Sequence, residues 1–189
     1  RRYVAAAVNQ RRTGTHLDQV QRLELLMNQV GVDANFSPAR KAALLKEEAT
    51  GAPAGAMVLP DGRVVTGKTS NLLGAASSLL MNALKGVSDV DEDLFVISDE
   101  VIEPICKLKK NTLHANNPRL HSDETLLALS VSSATDPVAK ELIDHAGDLR
   151  GCDAFFSVII SETDEKLYRT LGINVCCEPK YEKRRFFHK

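Results

Sequence analysis

The sequence predicts an α/β fold, a three-layer αβα sandwich preceded by a helical segment. After Ala54, short apolar runs alternate with longer segments of helical periodicity, as strands and covering helices do. The pair Asp61-Gly62 stands between two strand-like runs, which is typical of a β-hairpin. Phe155–Ile160 is a continuous apolar run of the kind found in strands buried on both faces. These observations favour a sheet with helices on both sides.

The first stretch of the chain is predicted to be helical. Apolar residues recur on one helix face over Leu17–Val30, and a second helix is expected after Ser37, which precedes a proline. The run Thr50–Pro53 then interrupts the pattern. We therefore expect a helical segment over residues 1–52 and an α/β domain over residues 53–189.

The α/β stretch is predicted to contain five strands and five helices, and it ends in a basic and aromatic tail. The predicted strands are Ala56–Leu59, Arg63–Thr66, Leu94–Ile97, Phe155–Ile160 and Ile173–Cys177. The predicted helices are Asn71–Lys85, Asp99–Lys109, Ser122–Ala134, Pro137–His145 and Glu162–Thr170. The tail Lys180–Lys189 is expected to be solvated or to contact another domain rather than RNA.

Composition excludes several classes of function. The 189 residues are 43% hydrophobic with a net charge of -1, which suits a globular domain and argues against a nucleic-acid-binding surface. Four cysteines without C-x-x-C spacing give neither a disulfide framework nor a zinc pattern. No apolar run approaches the length of about 18 residues that a membrane span needs, and no signal peptide opens the chain. We expect a cytoplasmic protein and, because the first residue is Arg1, a piece of a longer one.

Residues Gly62–Thr69 match the phosphate-loop pattern G-x-x-x-x-G-K-[ST]. In a phosphate loop the intervening residues form a tight turn whose N–H groups surround the phosphates. Here they are Arg63–Thr66, and the two adjacent valines within that run prefer an extended chain. The match is therefore interpreted as accidental, and no nucleotide cofactor is predicted from it.

Three polar clusters remain as candidate contacts for an anion. They combine cationic side chains, hydroxyls and the N–H groups expected at helix starts. Each cluster is also compatible with an ordinary helix cap or surface loop. We expect the segment from Gly67 to share a cleft with one of the other two clusters, because helix N-termini gather at the carboxyl edge of such sheets. The candidate residues are Gly67, Lys68, Thr69, Ser70, Arg119, His121, Arg11, Arg12, Thr13 and His16.

Four short strings carry a resemblance to a known family. They are Asn9–His16, Val65–Ser70, Asn117–His121 and Cys177–Tyr181. Together they resemble the bacterial domain-of-unknown-function-1846 family, and the resemblance covers the whole chain. It implies that the chain corresponds to the C-terminal part of longer family members. It also implies a topology similar to the cytidine-deaminase fold, which begins with a β-hairpin followed by a helix.

The resemblance to that fold raises the question of zinc-dependent deamination. The reaction needs H-x-E for one ligand and a general acid/base, and P-C-x-x-C for two thiolate ligands. No histidine of this chain has a glutamate two residues later, and the run Glu103–Lys109 contains a single cysteine. We therefore expect no protein-bound metal and no deaminase activity.

Two classes of function stay open on the sequence. The first is a domain that binds an anionic small molecule, phosphate- or nucleotide-like, and contributes to an enzyme site shared with the N-terminal region of the full-length protein. The second is a non-catalytic module that packs against that region or forms a homo-oligomer. The sequence predicts no membrane contact, and it specifies neither a reaction nor a substrate.

Overall fold

A four-stranded sheet and eight α-helices form the mixed α/β fold over residues 1–33 and 37–182, which the computed structural model describes. The helices are α1 (Arg2–Thr13), α2 (Leu17–Gln29), α3 (Pro38–Thr50), α4 (Ala75–Val87), α5 (Asp99–Lys107), α6 (Ser122–Ser132), α7 (Pro137–Asp144) and α8 (Glu162–Thr170). The strands are β1 (Ala54–Val58), β2 (Val64–Lys68), β3 (Asp153–Phe156) and β4 (Asn174–Cys177). A single π-helical turn, Leu108–Thr112, follows α5.

The predicted hairpin is confirmed. Strands β1 and β2 pair antiparallel, with Val58 opposite Val64, and the Leu59 N–H donates to the Arg63 carbonyl at 2.8 Å. Gly62 sits in the turn with a φ of 86°, a left-handed conformation that favours glycine. The residues between the two glycines of the phosphate-loop pattern are therefore mostly strand rather than a phosphate-binding loop.

The order of strands in the sheet is β2-β1-β3-β4. Strand β1 is antiparallel to both of its neighbours, whereas β3 and β4 are parallel. It follows that β2, β3 and β4 run in one direction and that their carboxyl ends lie at the same edge of the sheet. This is the edge at which ligands bind in many open α/β sheets.

Helices pack on both faces of the sheet. On one face, Ala56 and Phe155 form a small core with Ala39 and Ala43 of α3. Because alternate residues of a strand point to opposite faces, Met57 enters the larger core on the other face, which includes α4. The small side chains of α3 allow it to lie close to the sheet.

Helix α3 begins where its cap signals predicted. The Ser37 hydroxyl accepts the N–H of Arg40 at 3.3 Å, and Pro38 occupies the first helical position. Gly51 ends the helix in a left-handed conformation with a φ of 66°. Helix α8 likewise has the predicted bounds, with Ser161 as its cap. Helices α5 and α6 each end two residues earlier than predicted.

The predicted strand Leu94–Ile97 is wrong. The segment is irregular, and no strand of the described residues pairs with it. Phe95 is 93% exposed, whereas Val96 and Ile97 are both buried. The segment therefore buries Val96 and Ile97 as an irregular loop, without the backbone pairing of a strand.

The helix predicted over Asn71–Lys85 begins later, at Ala75. The Ser70 hydroxyl accepts the N–H groups of Leu72 and Leu73 at 3.3 and 3.0 Å, and this local turn replaces the first helical turn. Gly67–Ser70 are consequently not next to the helix start. Gly67 and the residue after it belong to β2.

The apolar run Phe155–Ile160 supplies an interior strand, but a shorter one than predicted. Strand β3 lies between β1 and β4, as expected, and it ends at Phe156. The hydroxyl of Ser157 accepts the Ala54 N–H at 3.0 Å, so a side chain takes the place of the next backbone acceptor. The remaining residues turn towards α8.

The predicted division at residue 52 stays a prediction, although α3 on its N-terminal side packs against the sheet.

The beginning of the predicted basic tail is held in place. The Lys180 ammonium forms an ion pair with Glu47 at 2.7 Å, and its carbonyl accepts the Ile159 N–H. The rest of the tail, from residue 183, lies outside the described residues.

Candidate functional site

A cavity of about 300 Å³ lies at the carboxyl edge of the sheet. Its walls come from the residues that follow β2 and β3, the segment before α6, the first turns of α4 and α8, and the chain after β4. The fold thus brings three helix N-termini to one place. The polar residues of the lining that matter below are Thr69, Arg119, His121, Ser161, Asp164 and Glu182.

Arg119 is the buried cation of this cavity. The residue is 8% exposed, and its Nε donates to the carbonyl oxygen of Ser70 at 2.7 Å. Its Nη1 lies 3.8 Å from Oε1 of Glu182, which is longer than a hydrogen bond. The guanidinium is therefore fixed at one nitrogen and only loosely paired at its other end.

The Glu182 carboxyl faces that guanidinium without a hydrogen bond. Its Oε1 atom is buried and has no hydrogen-bond partner within residues 1–33 and 37–182. Burial raises the pKa of Glu182, and the positive charge of Arg119 opposes that change in part. Glu182 is therefore a weak counter-ion for Arg119.

His121 and Asp164 form a hydrogen-bonded pair in the same cavity. Nδ1 of His121 lies 3.1 Å from Oδ2 of Asp164, and the Ser161 hydroxyl donates to that oxygen at 2.6 Å. The other oxygen, Oδ1, accepts the N–H of Ser122 at 2.8 Å and its hydroxyl at 2.7 Å. Four donors therefore hold the Asp164 carboxylate in one position.

These contacts shift the ionisation of both partners. The hydrogen bond to Asp164 raises the pKa of His121, although burial of the ring acts in the opposite direction. Burial favours neutral Asp164, but the hydrogen bonds from His121, Ser161 and Ser122 together outweigh it and lower the pKa of the carboxyl. The pair thus favours a charged imidazolium beside a carboxylate.

A second ion pair holds the chain between Arg119 and His121. The ammonium of Lys109 donates to the Arg119 carbonyl and to Glu124, both at 2.6 Å. Glu124 in turn accepts the His121 N–H at 2.8 Å. The two functional side chains consequently project from a backbone segment that is fixed before any ligand arrives.

The structure brings three of the predicted anion contacts to this cavity: Thr69, Arg119 and His121. Ser70, a fourth, touches Arg119 through its carbonyl oxygen rather than through its hydroxyl. The sequence pointed to these residues because polar side chains and expected helix starts coincided.

Gly67 and Lys68 lie elsewhere. Both line a separate groove between β2, α4 and the exposed Phe95. Gly67 packs directly against the backbone of Leu79 in α4. Contact of Lys68 with an anion stays a prediction, but the structure does not place it beside Arg119.

The cluster at the end of α1 is mainly exposed. Arg11 and Arg12 occupy the last turn of α1, and the Arg12 guanidinium donates to Glu165 at 2.9 Å. Thr13 and Thr15 share a hydrogen bond between their hydroxyls. His16 precedes α2 in a left-handed conformation with a φ of 67°. The described structure keeps these residues outside the cavity of Arg119.

Sequence reasoning missed Asp164, Ser161 and Glu182. One signal was available, because Ser161 and Asp164 have the spacing of a helix cap directly after an apolar strand. That spacing indicates a helix start but gives no reason to connect it with His121, 43 residues away. Glu182 had no signal beyond its charge.

Three further observations concern metal ligands, a buried thiol and helix length in the described residues. Within them, no group of three or more His, Cys, Asp or Glu side chains is placed to hold a metal ion. Burial raises the pKa of Cys177 to about 11, so this thiol is a poor nucleophile. None of the helices over residues 1–33 and 37–182 is long and apolar enough to cross a membrane.

Comparison with known proteins identifies the family. Residues 35–187 match the family described as domain of unknown function DUF1846, C-terminal. The chain belongs to the DUF1846 family. This DUF1846 domain is 42% identical over 189 residues to a UPF0371 protein of Corynebacterium diphtheriae. It is 38% identical over 189 residues to a UPF0371 protein of Streptococcus pyogenes.

The relatives are considerably longer than this domain. Each of the two alignments covers 100% of the chain but only 38% of the relative. The family is uncharacterised, so the match assigns membership and no reaction.

Proposed function

We propose that this cavity binds the anionic group, a phosphate or a carboxylate, of a small molecule that the longer protein handles. The observation that carries the proposal is Arg119, which is 8% exposed and has no hydrogen-bonded carboxylate among the described residues. Burying a charge without a close counter-ion costs on the order of several kcal/mol. An anion bound in the cavity would supply that counter-ion.

The start of α4 supports the same proposal. Ala75 and Ala76 line the cavity, and Gly74 before them offers no side chain to cap the helix. The N–H groups of a first helical turn have no intrahelical acceptor, and the helix dipole favours a negative charge there. Donors from α4 and from the Arg119 guanidinium thus converge on one anion.

Arg119→Lys in the full-length protein is expected to weaken the binding of inorganic phosphate about tenfold or more. Lysine keeps the charge but loses the planar fork of donors that arginine offers a phosphate. Isothermal titration calorimetry measures the affinity, and thermal unfolding checks that the variant folds. Lys68→Ala is the control, because Lys68 is exposed and lines the other groove.

The same titrations decide between the two anion sites. Equal affinity in wild type and Arg119→Lys would contradict the proposal, and a loss in Lys68→Ala alone would move the anion to the groove beside α4. Glu182→Gln should bind phosphate at least as tightly as wild type. That variant keeps the shape of the side chain and removes a carboxylate that competes for the guanidinium.

A packing function is the second candidate, and α2 is the observation that favours it. None of its residues is buried; Leu25 and Leu26 are 63% and 51% exposed, and Val30, directly after the helix, is 69% exposed. Exposed apolar clusters of this kind mark interaction surfaces. Since the chain spans 38% of its relatives, we propose that the rest of the full-length protein covers α2.

Leu25→Glu is expected to lower the melting temperature of the full-length protein by several degrees, because it would bury an unpaired charge in that contact. Leu127→Glu on α6 is the matched control, since Leu127 is 68% exposed. A melting temperature of Leu25→Glu equal to that of wild type would exclude a covered α2. If Leu25→Glu converts an oligomer to a monomer, as measured by light scattering, a second copy of the protein rather than the rest of the same chain covers α2.

The three-layer αβα sandwich of cytidine-deaminase-like topology is likewise a proposal. Support comes from the hairpin followed by α4 and from β1, which runs against the other strands. The packing of α3 and α4 on opposite faces supports the three layers.

A cytoplasmic location is proposed as well. The supporting observation is the state of the four cysteines, all of which are free. Proteins of oxidising compartments commonly use cysteines in disulfides, whereas cytoplasmic proteins keep them reduced.

A further inference from the structure

We propose that His121 is the second cationic contact of this anion site, so that its ligand is a dianionic phosphate monoester rather than a monocarboxylate. This inference rests on the anion binding proposed above for Arg119. Both side chains line the cavity and project from the segment that Lys109 and Glu124 hold in place.

Only one ring nitrogen of His121 is available to a ligand. Nδ1 is occupied by Asp164 at 3.1 Å and lies 3.4 Å from the Ser161 hydroxyl. Nε2, on the opposite edge of the ring, makes no hydrogen bond with any described residue. The side chain is 32% exposed, so the ring is accessible while its orientation is fixed.

The tautomer follows from the surroundings of Asp164. Its two oxygens accept hydrogen bonds from Ser122 and Ser161 as well as facing His121, which leaves no room for a proton on the carboxyl. Nδ1 of His121 must therefore carry a hydrogen. Neutral His121 then presents a lone pair at Nε2, which repels an anion, whereas charged His121 presents an N–H donor.

The arrangement of donors selects the ligand class. Arg119 and protonated His121 approach the cavity from the segment before α6, and the N–H groups at Ala75 and Ala76 belong to the first turn of α4. A carboxylate has two oxygens and one charge, whereas a phosphate monoester has three terminal oxygens and close to two charges at neutral pH. Oε1 of Glu182, which has no hydrogen-bond partner in the described part of the chain, offers an acceptor for a hydroxyl on the organic part of such a ligand.

Several charged groups surround His121, and their net effect favours its charged form. The groups are Asp164 on α8, Glu124 on α6, Lys109 in the π-helical turn, Arg119 before α6 and Glu182 near the described C-terminal end. Lys109 and Glu124 form an ion pair and largely cancel. The hydrogen bond to Asp164 raises the pKa of His121, which agrees with the geometry.

The test is the pH dependence of sulfate binding to the full-length protein, measured by calorimetry from about pH 6 to about pH 9. Sulfate stays dianionic over this range, so any change in affinity belongs to the protein. Wild-type affinity is expected to fall roughly tenfold or more as pH rises through the pKa of His121. His121→Gln should show a flat profile close to the high-pH value of wild type.

His145→Gln is the matched control, because His145 forms an exposed pair with Asp148 at 2.7 Å that is remote from the cavity lining. It should retain the wild-type profile. An unchanged profile in His121→Gln, or acetate binding as tight as sulfate binding, would overturn this inference while leaving the role of Arg119 intact. Absence of binding by wild type to sulfate and to phosphate at every pH would overturn both proposals.

Discussion

Replacing Gly67 with alanine is expected to destabilise the fold by about 3 kcal/mol or more. A Cβ atom at this position would lie 2.2 Å from the backbone nitrogen of Leu79 and 2.5 Å from its Cα. These are backbone atoms in the middle of α4, which packs along β2, so no side chain can move aside to relieve the overlap. The helix or the strand would have to shift as a whole.

Gly147→Ala is the matched control for this substitution. An added Cβ at Gly147 meets no atom within 4 Å, and the residue lies in a short 3₁₀ turn. Alanine should be neutral there, or stabilising by up to about 1 kcal/mol through a less flexible unfolded chain. Urea unfolding followed by circular dichroism measures both variants. Equal free energies of unfolding would show that β2 and α4 can separate at Gly67 without cost.

The role of Gly67 explains why the phosphate-loop pattern misleads. The second glycine of that pattern normally lets a backbone approach a phosphate, whereas here glycine lets a strand approach a helix. The first glycine, Gly62, serves a hairpin turn. Gly62 is needed for the turn and Gly67 for close packing, and Lys68 is exposed. The three residues match the phosphate-loop pattern, but the segment between the glycines is mostly strand and not a phosphate-binding loop.

Elements with strong local signals were the predictable part of the fold. The Asp61-Gly62 turn and the Ser37-Pro38 helix start depend on neighbouring residues alone, and both are confirmed. The failures depend on distant partners. Leu94–Ile97 has the composition of a strand, but the described sheet has no strand beside it. Helix α4 begins later than predicted because the Ser70 hydroxyl accepts the N–H groups of Leu72 and Leu73 and forms a turn there instead.

The sequence predicted only those residues of the candidate site that lie close together along the chain. Arg119 and His121 lie two residues apart before an expected helix, so their proximity could be predicted without knowledge of the fold. Asp164 and Glu182 reach them through the parallel arrangement of β3 and β4, which sends both following segments to one sheet edge. No spacing rule connects residues that meet in this way.

Asp164→Asn is expected to lower the free energy of unfolding by about 3 kcal/mol between pH 3.8 and 6.5, the ordinary pKa values of its carboxyl and of His121. The pKa of Asp164 is lowered in the fold, so its stabilisation is present above 3.8 and lost as pH falls through the lowered value. The pKa of His121 is raised, so its stabilisation is complete below 6.5 and lost as pH rises through the raised value.

The difference between wild type and Asp164→Asn should therefore be largest in that interval and shrink towards both extremes. Amide substitution also replaces one carboxylate oxygen with an NH₂ donor, which would face either the Ser122 N–H or the Nδ1–H of His121. Asp148→Asn is the control, because the pair of Asp148 with His145 is exposed and solvent screens it, so its loss should change stability far less. Urea unfolding across the pH range measures all three proteins. A pH-independent difference would mean that the ionisation of Asp164 is not coupled to that of His121. It would also contradict the tautomer assigned to the imidazole.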